Sequence, residues 1–284
     1  MLTTALIEPI VQAALTEDAP WGDLTCATVL PPSASATAEL VARSDGVLAG
    51  TQVFAAAFTR TDPGVQVTAM RADGEAFSAG DTLARVHGPA GAVLQAERIA
   101  LNFTQRLSAI ATATSRYVAA VGGTGVRIAD TRKTTPGLRV LERHAVWAGG
   151  GHNHRFGLSD AVMIKDNHLA VLAAAGLDLT EALRQARRRL GHTVHLEVEV
   201  DRLDQIEPVL AADIDTIMLD NFTLEDLRQG VALVERRAIV EASGNVTLDT
   251  VADIAATGVD VISVGALTHS VAALDLGLDV QVAA

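Results

Sequence analysis

From Gly125 onward the chain repeats one pattern, a short apolar strand followed by a helix, and this alternation restricts its second half to parallel βαβ units. The strands read as 126–130 (VRIAD), 161–165 (AVMIK), 192–200 (HTVHLEVEV), 216–220 (TIMLD), 238–242 (AIVEA) and 260–265 (DVISVG). Helices are expected at 136–148, opened by Pro136 in its first turn, at 167–175 and 180–190, and from near Leu203, Thr223 and Thr247. The last three strands recur about every 22 residues, a common βα length. Six strands are too few for a complete eight-stranded barrel and enough for one lacking part of its ring. An open doubly wound sheet is the rival, and periodicity does not separate the two.

The first half is written differently. Residues 6–16 have helical spacing, and the turn Pro20-Trp21-Gly22-Asp23 follows them. Between 36 and 89 short β-like segments are punctuated by Gly46, Gly64, Gly74 and Gly80, with a helix at TQVFAAAFTR, which reads as a small α+β module of antiparallel strands. A long helix is expected from Ala92 to Val121, closed by Gly122-Gly123, with Arg98, Asn102 and Arg106 on one face.

Of 22 basic residues only Lys133 and Lys165 are lysines, and both lie in the stretch 130–168 with Arg132, Arg139, Arg143, Arg155 and four of the eight histidines. Lysine is a compact point charge suited to one phosphate oxygen, and arginine is a planar fork suited to a carboxylate. Glycines at 149–151 and 157 interleave these charges, which a solvated helix face would not carry. The formal charge of −12 argues against a nucleic-acid partner and makes the stretch a local anion pocket on an acidic protein. No apolar run reaches the roughly 18–20 residues of a membrane span, and the first residues lack a secretory pattern. The single Cys26 excludes an internal disulfide. A soluble cytoplasmic protein is expected.

Polar residues collect at the carboxyl ends of the strands, the edge where parallel α/β folds bind ligands. They are Asp130-Thr131-Arg132-Lys133, Lys165 to His168, Glu197 and Glu199, Asp220-Asn221, Ser243-Gly244-Asn245 and Gly265-Ala266. Glu197 and Glu199 leave one face of their strand, and carboxylates within an apolar strand are costly unless paired or metal-bound. A structural ion-pair net is one reading; the other has Glu199 and Asp220 holding Mg²⁺ shared with a polyphosphate. Ser243-Gly244-Asn245 and Gly265-Ala266 each stand between a strand and an expected helix start, where free amides favour phosphate. His152 and His154 are spaced for a metal but lack a third ligand nearby in sequence. The glycines at 122–125 precede a strand, the wrong order for a dinucleotide fingerprint.

DTRKTTPGLR (130–139), GGGHNHRFGLSD (149–160) and IKDNH (164–168) closely resemble the quinolinate phosphoribosyltransferase family. AERIALNFTQRLSAIAT, EVEV, IMLDN, EASGNV, ISVGALTHS and EDAPWGDLT extend the likeness over nearly the whole chain; Ala109 stands where members commonly have Gly. The resemblance implies an N-terminal α/β sandwich with its linking helix over 1–112. It implies an incomplete barrel of type II phosphoribosyltransferase kind over 113–284, with a last helix able to pack back on the first domain. It further implies transfer of phosphoribosyl from phosphoribosyl pyrophosphate to quinolinate, with Mg²⁺, in a homodimer whose sandwich domain covers the partner's barrel mouth. Residue by residue it places Arg132, Arg155 and His154 around the quinolinate carboxylates, with Arg98 arriving from the partner subunit. Lys133 and Lys165 match lysines touching both substrates, and Glu199 and Asp220 match the acidic positions near the ribose and Mg²⁺. Ser243, Gly244, Gly265 and Ala266 match the 5′-phosphate cradle, beside which Thr131 and Asn245 are also expected to bind substrate.

Two other readings remain open at this level. Lys165 at a strand end suits a Schiff-base aldolase, which borohydride trapping would reveal. A phosphosugar-binding accessory protein would keep the fold without turnover, though retention of Arg132, Lys133, Arg155 and Lys165 together argues against it.

Overall fold

The computed structural model describes residues 2–283. The chain runs α1 (Thr4–Asp18), α2 (Leu24–Val29), β1 (Ser35–Ala42), β2 (Gly46–Val47), α3 (Thr51–Thr61), β3 (Gln66–Ala69), β4 (Ala76–Phe77), β5 (Thr82–Pro89) and α4 (Ala90–Ala120). It continues through β6 (Arg127–Ala129), α5 (Arg139–Ala148), β7 (Val162–Ile164), α6 (Asp166–Ala174), α7 (Leu179–Arg189) and β8 (Leu196–Val200). Then come α8 (Ile206–Leu210), β9 (Thr216–Asp220), α9 (Leu224–Val234), β10 (Ile239–Ser243), α10 (Val251–Ala255), β11 (Val261–Ser263), α11 (Ala266–His269) and β12 (Leu276–Ala283).

These elements form two compact units, and the division is not one cut. The first holds Met1–Ser115, Thr134–Gly150 and Leu267–Ala284; the second holds Arg116–Lys133 and Gly151–Ala266. A boundary near 112 therefore describes only the first crossing between them.

In the first unit an antiparallel sheet of order β12-β1-β5-β3 carries α3 and α1. β1 alternates buried and more exposed residues along its length, so one face meets the core and the other faces outward. Phe54 and Phe58 of α3 meet edge to face at 5.0 Å inside that core. The last segment is a strand, not the expected helix: β12 pairs with β1 over eight residues and covers its otherwise open edge. The alternation LGLDVQV carries that period-two signal. α5 starts at Arg139, three residues later than expected, because Gly137 adopts φ +82° in a turn after Pro136.

In the second unit six parallel strands have the order β6-β11-β10-β9-β8-β7. From β7 to β11 each new strand is added on the same side, and β6 then pairs with β11. A doubly wound sheet would reverse direction once; here nothing reverses, so the ring is a barrel left open between β6 and β7. His152 occupies part of that gap through a one-residue parallel bridge to Ala129, its N–H donating to the Ile128 carbonyl at 2.7 Å. No described helix is long and apolar enough to cross a membrane.

Candidate active site

Inward-facing residues of the barrel follow a strict period of two, as the pleat requires. Ala161, Met163 and Lys165 belong to this set, with Glu197 and Glu199, Thr216, Met218 and Asp220, Ile239, Glu241 and Ser243, and Val261 and Ser263. They line two cavities. One, of about 400 Å³, lies at the carboxyl ends of the strands and is bounded by Thr131, Arg132, Lys133, His154, Arg155, Lys165, Glu199, Asp220, Ser243 and Ser263. The other, of about 410 Å³, lies at the amino ends, where Arg127, His195, Thr216 and Ile239 begin or precede their strands. His154 and Arg155 border both. The carboxyl-end cavity is the candidate ligand site, because four cations from three separate segments converge there.

Asp130 sets the loop that carries two of these groups. Fully buried at the end of β6, it accepts from the His154 N–H at 2.7 Å and from Asn153 Nδ2 at 2.7 Å. The glycine-rich segment is thereby pinned with Arg155 beside Arg132. Burial first, and the neighbouring Arg132 charge second, hold the Arg155 pKa below its ordinary value. Two guanidiniums that repel each other in a pocket form a site that an anion of two negative charges would relieve. Lys165 caps the start of α6, where its N–H donates to His168 Nδ1 at 3.0 Å, and its ammonium is ion-paired with Glu199.

Beneath the cavity His154 Nε2 approaches Glu197 Oε2 at 3.0 Å and Glu241 Oε2 at 3.6 Å. Its Nδ1 accepts the Arg155 N–H at 2.7 Å, so the hydrogen sits on Nε2 and points to the carboxylates. Burial lowers the His154 pKa, but Glu197, Glu241 and Asp130 outweigh it and raise the net value. Burial pushes Glu241 up to about 7, the Glu197 charge adds to that, and His154 opposes it. An acid raised from 4.5 binds more protons folded than unfolded between those two values. Its contribution to stability therefore grows as pH falls from about 7 towards 4.5, and above 7 the ionised group costs stability. Glu241→Gln is expected to move the urea midpoint upward at pH 8 and to leave it little changed at pH 5. An equal shift at both pH values would contradict this account.

Asp220, half-buried at the end of β9, accepts from Asn221 Nδ2 at 2.7 Å. Asn221 in turn donates its N–H to the Ser243 carbonyl at 2.9 Å and accepts from Asn245 Nδ2 at 3.1 Å. Gly244 sits at φ +96°, and a Cβ there would lie 2.1 Å from Asn221 Oδ1 and 2.9 Å from Asn221 N. Gly244→Ala must therefore displace the turn, and a roughly tenfold to hundredfold rise in the KM of the phosphate-bearing substrate is expected from steady-state rates. An unchanged KM would remove this turn from the phosphate site.

The structure brings together Thr131, Arg132, Lys133, His154, Arg155, Lys165, Glu199, Asp220 and Ser243. Gly244 and Asn245 adjoin Ser243, but α10 begins only at Val251, so this turn is not a helix start as expected from sequence. Two consecutive left-handed residues, Gly244 and Asn245 (φ +51°), shape it instead. Gly265 follows β11 and Ala266 opens the four-residue α11, and neither lines the cavity. Arg139, Arg143 and His144 belong to α5 in the first unit, so the basic stretch is shared between two compact bodies. Arg98 is exposed on α4 in that first unit. Sequence reasoning placed Asp130 at a strand end without giving it a role, and it missed Glu241. The signal for Glu241 was the one that marked Glu197: a carboxylate inside an apolar strand, IVEAS.

Models of the quinolinate phosphoribosyl transferase N-terminal and C-terminal domains match residues 23–108 and 110–279. The chain is 44% identical over 264 residues to a probable nicotinate-nucleotide pyrophosphorylase [carboxylating] of Bacillus subtilis, covering 93% of this chain and 90% of that protein. It is 41% identical to the nicotinate-nucleotide pyrophosphorylase [carboxylating] of Mycobacterium leprae, covering 95% of each. Among solved structures, NadC from Streptococcus pyogenes superposes with a TM-score of 0.94 at 39% identity, covering 100% of this chain and 99% of that one.

Proposed function

The chain belongs to the quinolinate phosphoribosyltransferase family, and we propose that the cavity at the carboxyl ends of its barrel strands is where its two substrates meet. It transfers phosphoribosyl from phosphoribosyl pyrophosphate to quinolinate with loss of CO₂, giving nicotinate mononucleotide and pyrophosphate for NAD synthesis. One observation carries the location: Arg132, Lys133, Arg155 and Lys165 line a single cavity together with Glu199 and Asp220.

The chemistry follows from these groups. Quinolinate has two adjacent carboxylates, and the Arg132–Arg155 pair supplies two forks for them. A cation about 4 Å from an anion is worth roughly 4 kcal/mol at an effective dielectric near 20, before desolvation, so several are needed. The pyridine nitrogen attacks C1 of the ribose as pyrophosphate leaves. Lys133 and Lys165 stabilise the departing charge, and Glu199 and Asp220 offset positive charge developing on the sugar. The ring, made positive at nitrogen, then releases its 2-carboxylate as CO₂. Holding two charged substrates in line supplies much of the acceleration.

Hard oxygen donors at this mouth suit Mg²⁺, which keeps waters and takes its remaining ligands from substrate phosphates. Glu199 is committed to Lys165, so Asp220 is the carboxylate better placed to hold the ion. When bound, Mg²⁺ supplies positive charge to the pyrophosphate. His154 was expected among the carboxylate ligands, yet both its ring nitrogens are engaged within the protein, so we assign it to the pocket wall that holds Arg155.

Incubation with quinolinate, phosphoribosyl pyrophosphate and Mg²⁺ is expected to yield nicotinate mononucleotide and CO₂ in equal amounts, with nicotinate inert as the control acceptor. Absence of product, or equal use of nicotinate, overturns the reading. Arg132→Ala is expected to raise the quinolinate KM roughly 30-fold, the loss of about 2 kcal/mol of charge-assisted binding. A homodimer that lends Arg98 to its partner's cavity accounts for that residue's exposure outside the second unit. Mixing Arg98→Ala and Arg132→Ala proteins under exchange, assayed at quinolinate far below the raised KM of either, should then restore up to about a quarter of the wild-type sites, whereas no recovery argues for independent sites.

A further inference from the structure

We propose that Glu197, Glu241 and His154, with the Ser263 hydroxyl, form a proton path from the amino-end cavity of the barrel to the substrate cavity, and that this path delivers the hydrogen replacing the departing 2-carboxylate of quinolinate. The inference rests on the reading that quinolinate lies in the carboxyl-end cavity.

The reaction itself requires a proton at that point. When the bond between C2 and its carboxylate breaks, CO₂ departs and the electron pair stays on C2. That pair ends in a new C2–H bond, so one proton must arrive, and water is the source that replenishes it. Until it arrives, CO₂ held nearby can recombine with C2.

The trio is the partition between the two cavities. Glu197 and Glu241 border the amino-end cavity, Ser263 borders the substrate cavity, and His154 borders both. Glu197 and Glu241 are each 3% exposed and Ser263 4%, yet Glu197 Oε1, Glu241 Oε1 and Ser263 Oγ make no hydrogen bond of ordinary geometry, although the Ser263 hydroxyl stands close enough to Glu241 to act on its carboxyl. Buried polar atoms are nearly always paired, so three orphans in one layer mark a place built for something other than packing. Ser263 lies against Glu241 and is the hydroxyl through which that carboxyl reaches the substrate side.

The same three residues bring a nitrogen and two carboxylate oxygens within 4.8 Å of one another, the spacing of a metal's ligands. His154 decides between a metal ion and a proton. Its Nδ1 lone pair takes the Arg155 N–H, so Nε2 carries hydrogen and has no lone pair for a metal. Arg127, Asp130, His152, Arg155, Asp160 and His195 are the other charged or titratable groups among the described residues around the trio and its cavity. Burial and Glu197 raise Glu241 to about 7, which leaves it partly protonated near neutrality.

The test separates two rates in single turnovers of the full chain with quinolinate, phosphoribosyl pyrophosphate and Mg²⁺: pyrophosphate release and CO₂ release. In Glu241→Gln, pyrophosphate release is expected to stay within about threefold of wild type while CO₂ release slows roughly 100-fold, the usual worth of a placed general acid. Phosphoribosylated quinolinate still bearing its 2-carboxylate then accumulates. Ser263→Ala shifts the two rates in the same sense. The unmodified enzyme gives an independent reading, in which CO₂ release falls as pH rises from 6 to 9 and pyrophosphate release does not follow it. Both rates falling together in the two variants would mean a structural role and overturn the path. Wild-type CO₂ release in the variants, or parallel pH profiles of the two rates, overturns it as well. Equilibrium binding of quinolinate to Arg132→Ala tells the two failures apart. Undiminished binding removes the site itself, whereas weakened binding with normal CO₂ release in Glu241→Gln removes only the path.

Discussion

A Lys165→Met enzyme is expected to keep its fold and lose about three orders of magnitude in kcat/KM, or roughly 4 kcal/mol of transition-state stabilisation. Lys165 stands at the end of β7, its side chain about two-fifths exposed to the cavity, while its partner Glu199 is nine-tenths buried. The substitution takes a cation away from the departing pyrophosphate and leaves the Glu199 charge facing two anionic substrates. Both effects act in the same direction, which is why the loss exceeds that expected for Arg132→Ala. Lys165→Arg is not expected to restore activity, because a planar fork cannot replace a point charge seated on one carboxylate oxygen. Adding Glu199→Gln to Lys165→Met, set against Glu199→Gln alone, completes the cycle, and a double variant less impaired than the two single losses add up to would measure the repulsion. A Lys165→Met enzyme within tenfold of wild type would remove this residue from the reacting centre.

The alternation of strand and helix after Gly125 was enough to anticipate six parallel strands, because buried parallel strands need continuous apolar text. It could not decide barrel against open sheet, since that depends on β6 joining β11, a pairing between segments more than a hundred residues apart. The carboxyl-end residues were legible for a simple reason: each strand's inward face recurs every second residue, so Lys165, Glu199, Asp220 and Ser243 all fall at strand ends on that face. What misled was proximity in sequence. Arg132 and Arg143 lie in one basic stretch, yet the chain enters the first unit at Thr134 and leaves it at Gly150, so Arg139 and Arg143 belong to that unit and Arg132 to the other. The histidines show the same limit. A His-x-His spacing raised a metal, and only the contacts of His154 with Glu197 and Glu241, residues from two later strands, revealed that its nitrogens are already spoken for.

Glu142→Ala is expected to destabilise the first unit by about 3–5 kcal/mol, the range found when one partner of a buried ion pair is removed. Nothing in the local text of α5 announces this, since Glu142 reads as an ordinary residue in an amphipathic helix. In the structure its side chain is fully buried and every polar contact of the carboxylate is internal. Arg106 of α4 donates to it from Nη2 at 2.9 Å and from Nε at 3.2 Å, and Thr135 donates its hydroxyl at 2.7 Å and its N–H at 3.0 Å. The same guanidinium also donates to the carbonyls of Thr268 and Val271, so one arginine ties α4 to α5, to α11 and to the segment after it. Alanine would leave that half-buried cation without its carboxylate and the Thr135 amide without its acceptor. The chain's two tryptophans, Trp21 and Trp147, both lie in this unit, and Trp147 is on α5 itself, so urea unfolding followed by fluorescence reports the right transition. Glu142→Gln, which keeps the shape and one acceptor, is expected to lose less, about 1–3 kcal/mol. Replacing both residues, Arg106→Met with Glu142→Leu, is expected to recover much of the alanine loss, because no uncompensated charge remains. If Glu142→Ala alone shifted the transition by under 1 kcal/mol, the carboxylate would be replaceable by solvent, and the network could not be what joins these three segments.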